Sequence, residues 1–155
     1  MLRIGKLTDY ATVVMAELAQ RRGDCRSAAQ VAEATKLETP TTAKVLKTLA
    51  KGGLIESVRG VNGGYRLTGA PEHVSVAAII RAMEGPIALT ECGLEPGLCA
   101  REQDCELRGN WQRIGETVER ALEALSLADL ATPQSVGLRL ITHTDPANAK
   151  PGAEH

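Results

Sequence analysis

Arg59 and the five residues Gly60-Val61-Asn62-Gly63-Gly64, three of them glycines, separate two short strand-like runs, Leu54–Val58 and Tyr65–Leu67. Such a turn predicts a β-hairpin, because glycine supplies the positive φ angles that tight strand connections need. No other strand pattern stands near it. A lone hairpin must lean on helices, and this restricts the fold to helical frameworks that carry one β appendage.

The flanking sequence supplies the helices. From Asp9 to Gln20 the residues Val13, Val14, Met15, Leu18 and Ala19 recur at helical spacing, with Thr8 placed to cap the start and Gly23 to close the segment. Ser27 followed by Gln30 is a capping-box pattern and opens a short helix that ends near Lys36. Thr39 reads as the N-cap of a third helix with Pro40 at its first position, and Val45, Leu46 and Leu49 mark its buried face up to Gly52. Two short helices joined by a tight turn form a helix-turn-helix, and a hairpin directly behind the second helix is a wing. The predicted fold class is therefore mainly α with a small β-hairpin: a winged helix-turn-helix domain plus a long C-terminal dimerisation helix. The chain has no Phe, one Trp and two Tyr, so Leu, Ile, Val and Ala must build the core.

Beyond the wing, Ser75 caps a helix carrying Val76, Ile79, Ile80 and Met83, which Gly85-Pro86 stops. Ile87 to Cys105 has little periodicity and reads as an ordered loop. Trp111, Ile114, Val118, Ala121, Leu122 and Leu125 then form an apolar stripe on a helix expected over 106–128. That stripe either packs back on its own domain or forms a two-fold dimer interface; the two half-sites usual for winged-helix operators favour a homodimer. Pro133, Gly137, Pro146 and Pro151 predict a mostly disordered tail. The expected division is residues 1–84 as the DNA-binding domain, 85–105 as the cysteine loop, 106–130 as the dimerisation helix and 131–155 as the tail.

Net charge is −1, but it is unevenly spread: residues 1–70 hold 11 Lys and Arg against 6 Asp and Glu, and residues 71–155 hold 7 against 13. A basic half predicts a polyanion partner, here double-stranded operator DNA. The lack of a membrane-length apolar run or secretory leader predicts a cytoplasmic protein with no membrane partner. An enzyme is not expected, since His73 and His143 have no motif pairing them with a cysteine and no phosphate loop appears.

Candidate base and phosphate contacts are Thr39, Thr41, Thr42 and Lys44 at the start of the third helix, with Lys47 and Lys51 nearer the backbone. The threonines serve equally well as caps or solvated surface. Arg59, beside the glycines of the wing, is suited to a narrow minor groove, and Arg66 and Arg3 to phosphates.

Cys92, Cys99 and Cys105 lie in a Gly- and Pro-containing segment, CGLEPGLC followed by CAREQDC. Stable disulfides are unexpected in a reducing compartment, and clustered thiolates suit an iron-sulfur cluster or zinc. Cys25 stands apart and is assigned no role.

GGLIESVRGVNGGYRLT (Gly52–Thr68) and LTDYAT (Leu7–Thr12) resemble the wing and opening segment of the bacterial iron-sulfur regulators that include IscR, NsrR and the Suf-operon regulators. The resemblance covers about residues 1–128. It implies a homodimeric repressor or activator of iron-sulfur assembly genes that senses cluster status and oxidative or nitrosative stress. Some relatives have an acidic side chain in the recognition helix where this chain has Ala43, so the operator class does not carry over.

The three cysteines leave a fourth ligand to find. One branch of the family uses a His three residues past the third Cys, where this chain has Arg108. Another uses an aspartate of the partner subunit's first helix, and Asp9 matches that position. The resemblance thus implies ligation by Cys92, Cys99, Cys105 and Asp9 of the partner; Asp9 as a simple helix N-terminal charge, His73 and His143 remain alternatives. Similarity to Suf-type regulators favours [2Fe-2S], while the aspartate match favours [4Fe-4S]. The competing reading is a zinc-binding or thiol-redox winged-helix regulator.

Overall fold

A computed structural model describes residues 3–95, 97–100 and 104–132, apart from the Cys92 side chain. Seven helices and one hairpin follow in the order α1 (Lys6–Gln20), α2 (Ala28–Thr35), α3 (Thr39–Lys51), β1 (Ile55–Val58), β2 (Gly64–Leu67), α4 (Val76–Glu84), α5 (Glu91–Leu94), α6 (Arg108–Glu123) and α7 (Leu127–Ala131), with a 3-10 turn at Pro71–His73 before α4. Of the expected tail, Ala131 ends α7 and Thr132 caps it, while residues 133–155, His143 among them, lie outside the described residues.

Helix α1 is the central post. Ala11, Val14, Met15 and Leu18 recur every three or four residues and are at most 2% exposed, so one stripe of the helix is dry. Val13, assigned to that face from its spacing, is 42% exposed and points outward. Val31 of α2, Val45, Leu46 and Leu49 of α3, Ile79 of α4 and Leu127 of α7 complete a single core with α1.

The start of α1 differs from the expectation. The helix begins at Lys6 with Gly5 as N-cap, and no side chain of its own caps it. Thr8, the expected cap, is buried inside the first turn and donates its hydroxyl to Glu84 at the end of α4. Glu84 also accepts from the Gly5 amide at 2.8 Å. A carboxylate from a distant segment therefore sits at the N-terminal end of α1, bonded to the N-cap amide and to the Thr8 hydroxyl.

The α2–α3 unit matches its local chemistry more closely. Ser27 and Gln30 form the reciprocal capping box at α2. Lys36 ends that helix in the left-handed conformation with φ 57°, and its amide bonds back to Ala32 and Glu33. Helix α3 starts one residue before its expected first turn: Glu38 is the N-cap, and Thr39 and Pro40 are already helical.

Strands β1 and β2 pair antiparallel, with Ile55 opposite Leu67 and Val58 opposite Gly64. Ile55 enters the core and anchors the hairpin stem.

The single helix expected over 106–128 is interrupted. Helix α6 closes at Ala124, and Ser126 starts α7 with a second capping box in which Asp129 accepts from the Ser126 amide at 2.8 Å. Those bonds hold the Asp129 carboxyl below its ordinary range. Backbone pairing forces the break: the Val76 amide bonds to Leu125 at 2.9 Å and the Leu127 amide to Val74 at 2.7 Å. The chain leaving α6 is thus stitched to the entry of α4, and Leu127 is driven into the core at 0% exposure. Replacing Leu127 by Ala is expected to cost about 2–5 kcal/mol, measurable by urea denaturation, although the residue lies 50 positions or more beyond the helix-turn-helix.

Candidate nucleic-acid interface and cysteine segment

Helix α3 presents a polar face opposite its buried one. Thr39, Lys44 and Lys47 are exposed and Thr41 is half-buried, while Lys51 is exposed at the last turn. Thr42 is a correction to the expected set. It is fully buried, its hydroxyl donates to the Glu38 carbonyl at 3.1 Å, and it shares the inward face with Val45, Leu46 and Leu49. The positions of Val45 and Leu46, three and four residues on, already signal that face.

The wing is held from two sides. Across its stem, Arg66 pairs with Glu56 at 2.7 Å, and that carboxylate raises the guanidinium pKa. Any phosphate contact by Arg66 competes with this pair. On its flank, Arg26 and Tyr65 exchange two backbone hydrogen bonds, Arg26 amide to Tyr65 carbonyl at 3.0 Å and Tyr65 amide to Arg26 carbonyl at 2.8 Å. The connection between α1 and α2 thereby adds a one-residue rung to β2. Sequence patterning gives no sign of this rung, since a single extended residue leaves no alternation to detect.

Glycine is required at the tip and at the rung. A Cβ on Gly64 would lie 2.4 Å from the Arg26 carbonyl oxygen, and one on Gly63 would lie 2.3 Å from that of Val58. With side chains absent there, the turn closes tightly, and Arg59, Val61 and Asn62 at its end are all exposed. Arg3 is exposed on the N-terminal segment, away from the wing's hydrogen bonds.

The cysteine segment follows α4 directly. Gly85 takes φ 88° and leads through Pro86 to α5, which includes Cys92. Cys99 and Cys105 are half-buried thiols outside any disulfide, and so is Cys25, near Ser27 and the wing tip. Among the described residues no three His, Cys, Asp or Glu side chains converge on one point, and the Cys92 side chain lies outside that set. Soft, unpaired thiols on a glycine-containing segment nevertheless fit the donor chemistry of an iron-sulfur or zinc centre. Asp9 is exposed in the first turn of α1, His73 is exposed on the 3-10 turn, and Arg108 opens α6.

Helix α6 divides its apolar stripe. Val118 and Leu122 are half-buried and line a groove with Ile80 of α4, and Arg81 binds Glu119 at 3.0 Å and also Glu123. Trp111, Ile114 and Leu125 remain 42–46% exposed. No helix among the described residues is long and apolar enough to cross a membrane.

A winged helix-turn-helix followed at once by a cysteine segment is one of two features that place the molecule; the other is a match of residues 4–133 to the model of the Rrf2 family, described as an iron-dependent transcriptional regulator. The chain belongs to the Rrf2 family. It is 33% identical over 133 residues to the transcriptional regulator NsrR of Halalkalibacterium halodurans, spanning 84% of this chain and 91% of that one. CymR of Bacillus subtilis is 30% identical over 132 residues. Its structure, that of the organism's global cysteine regulator, superposes with a TM-score of 0.69, covering 84% of this chain and 97% of CymR. The IscR structure from T. potens, 28% identical, gives a TM-score of 0.63 over 83% and 85% of the two chains. This Rrf2 protein is accordingly a DNA-binding transcriptional regulator and not an enzyme.

Gly64→Ala in this Rrf2 chain is expected to break the rung to Arg26, because φ 155° and the 2.4 Å approach both oppose a side chain. Faster hydrogen exchange at the Tyr65 amide, with a stability loss of about 1–3 kcal/mol, is the measurable result.

Proposed function

We propose that the protein is a homodimeric regulator of iron-sulfur assembly genes, of the Suf type, whose operator binding follows the state of an iron-sulfur cluster. The observation that carries this reading is the placement of Cys92, Cys99 and Cys105 on the segment leaving α4, in a chain that matches an iron-dependent regulator family along almost all its described length. Three thiolates of one chain and Asp9 of the partner would hold the cluster, and Asp9, exposed on the first turn of α1, is free to reach outward. When bound, such a cluster supplies a redox- and nitric oxide-sensitive link between the two chains.

DNA is read by Thr39, Thr41, Lys44 and Lys47 on α3, with Arg59 at the wing tip in the minor groove and Arg3 and Arg66 on phosphates. Thr42 drops out of this set because its hydroxyl is buried. The exposed Trp111–Leu125 stripe is the surface for the second copy. A link between one chain's cysteine segment and the other's α1 sets the spacing of the two α3 helices, so losing it alters the fit to paired half-sites. The chemistry of [2Fe-2S] and [4Fe-4S] clusters is compatible with the same donors.

The similarity to CymR supports a second reading, in which the thiols themselves are oxidised or hold zinc. Anaerobic purification separates the two. Visible absorption with stoichiometric iron is expected, and a colourless protein carrying zinc, or one with full operator affinity and no iron, would overturn the cluster. Asp9→Ala should accelerate cluster loss; unchanged retention assigns the fourth ligand elsewhere.

On the DNA side, Arg59→Ala is expected to weaken binding to a duplex selected from a random pool by about 1–3 kcal/mol, read by fluorescence anisotropy. Thr42→Val should leave that affinity within twofold, because the side chain faces the core.

A further inference from the structure

One carboxylate joins the two parts of the chain on which the sensing reading depends. Glu84 is the last residue of α4, and the next residues, Gly85 and Pro86, open the cysteine segment. Its carboxylate accepts from the Gly5 amide at 2.8 Å and from the Thr8 hydroxyl, 79 and 76 positions away in sequence. Thr8 is 1% exposed, so its hydroxyl has no ready replacement from solvent. Asp9 is the next residue, and its own amide bonds to the Gly5 carbonyl at 3.0 Å within the same turn. The base of the cysteine segment and the turn that bears Asp9 are thus fastened by one side chain.

Gly5 shows how closely that fastening is built. Its φ of −63° suits any residue, so the backbone does not require glycine there. A Cβ at Gly5 would lie 2.9 Å from the Glu84 Oε1. That oxygen is the end of an exposed, flexible side chain, so a methyl group at position 5 would be accommodated by moving the carboxylate off its partners.

We propose that Glu84 is a positioning residue that couples the two clusters of the dimer, so that they are gained and lost as a pair. The inference rests on the reading that Asp9 completes the partner's cluster. Each cluster is then held by the cysteine segment of one chain and the α1 turn of the other, and within each chain Glu84 ties that segment to that turn. Removing one cluster frees a cysteine segment, slackens the Glu84 bonds in the same chain, and shifts the Asp9 that serves the other cluster. Coupling through a shared rigid element makes the sites cooperative and reciprocal.

Native mass spectrometry of the anaerobically loaded dimer, followed as an iron chelator is added, counts dimers with two, one and no clusters. In the wild type, singly loaded dimers should stay scarce at half-loading. In Glu84→Ala and Gly5→Ala they should rise to about half of all dimers, the share for independent sites, with the preference for paired loading falling at least about fivefold. Glu84→Gln, which keeps an oxygen acceptor for Gly5 and Thr8, should restore most of the paired behaviour. Gly5→Ala keeps every α4 side chain and an allowed backbone, so it tests the coupling even if Glu84→Ala does not fold. A wild type that binds no cluster overturns the sensing reading. A loaded wild type with independent sites, or variants that keep paired loss, overturns the coupling alone.

Discussion

The aliphatic stripe on α1 is the constraint on which the remaining elements depend. Ala11, Val14, Met15 and Leu18 are dry, and side chains from α2, α3, α4 and α7 close over them. Burying a side chain of this size is worth about 1.5–3 kcal/mol, and without phenylalanine no single residue replaces several of them. The fold is therefore held by many moderate contacts on one helix. A shift of α1 along its axis would be felt at once by α3, by the end of α4 and by the returning α7.

Most of this framework is legible in the sequence because it is written in local chemistry. Ser27 and Gln30 state where α2 begins, and three glycines in five residues state where the chain reverses into a hairpin. The α3 helix follows from Pro40 and the spacing of Val45, Leu46 and Leu49. Each signal acts within a few residues, where propensity and capping decide the outcome.

Misreadings arise where a distant partner overrides the local rule. Thr8 looks like a cap, yet its hydroxyl and the Gly5 amide are taken up by Glu84, and the helix starts three residues earlier. The α6 stripe extends unbroken to Leu125 in sequence, but backbone pairing with the 74–76 segment ends the helix and turns Leu127 into the core. Thr42 is the opposite case: its inward position was available from helical spacing, and its polarity drew it into the DNA-facing set. The cysteine segment carries residue types that announce chemistry but no periodicity, so composition and family likeness speak there and local geometry is silent.

The rung between Arg26 and Tyr65 has a thermodynamic consequence for recognition. Hairpins that hang free from a helix lose conformational freedom when they settle into a groove, and that ordering is subtracted from the affinity. Here the wing is fastened at its stem by Ile55 and along its flank by two backbone hydrogen bonds to the chain that leads into α2. Its ordering is completed during folding, together with the helix-turn-helix it accompanies. On the proposed reading, the wing and α3 would be presented to a duplex with their relative placement already set by these bonds, leaving less freedom to be lost on binding.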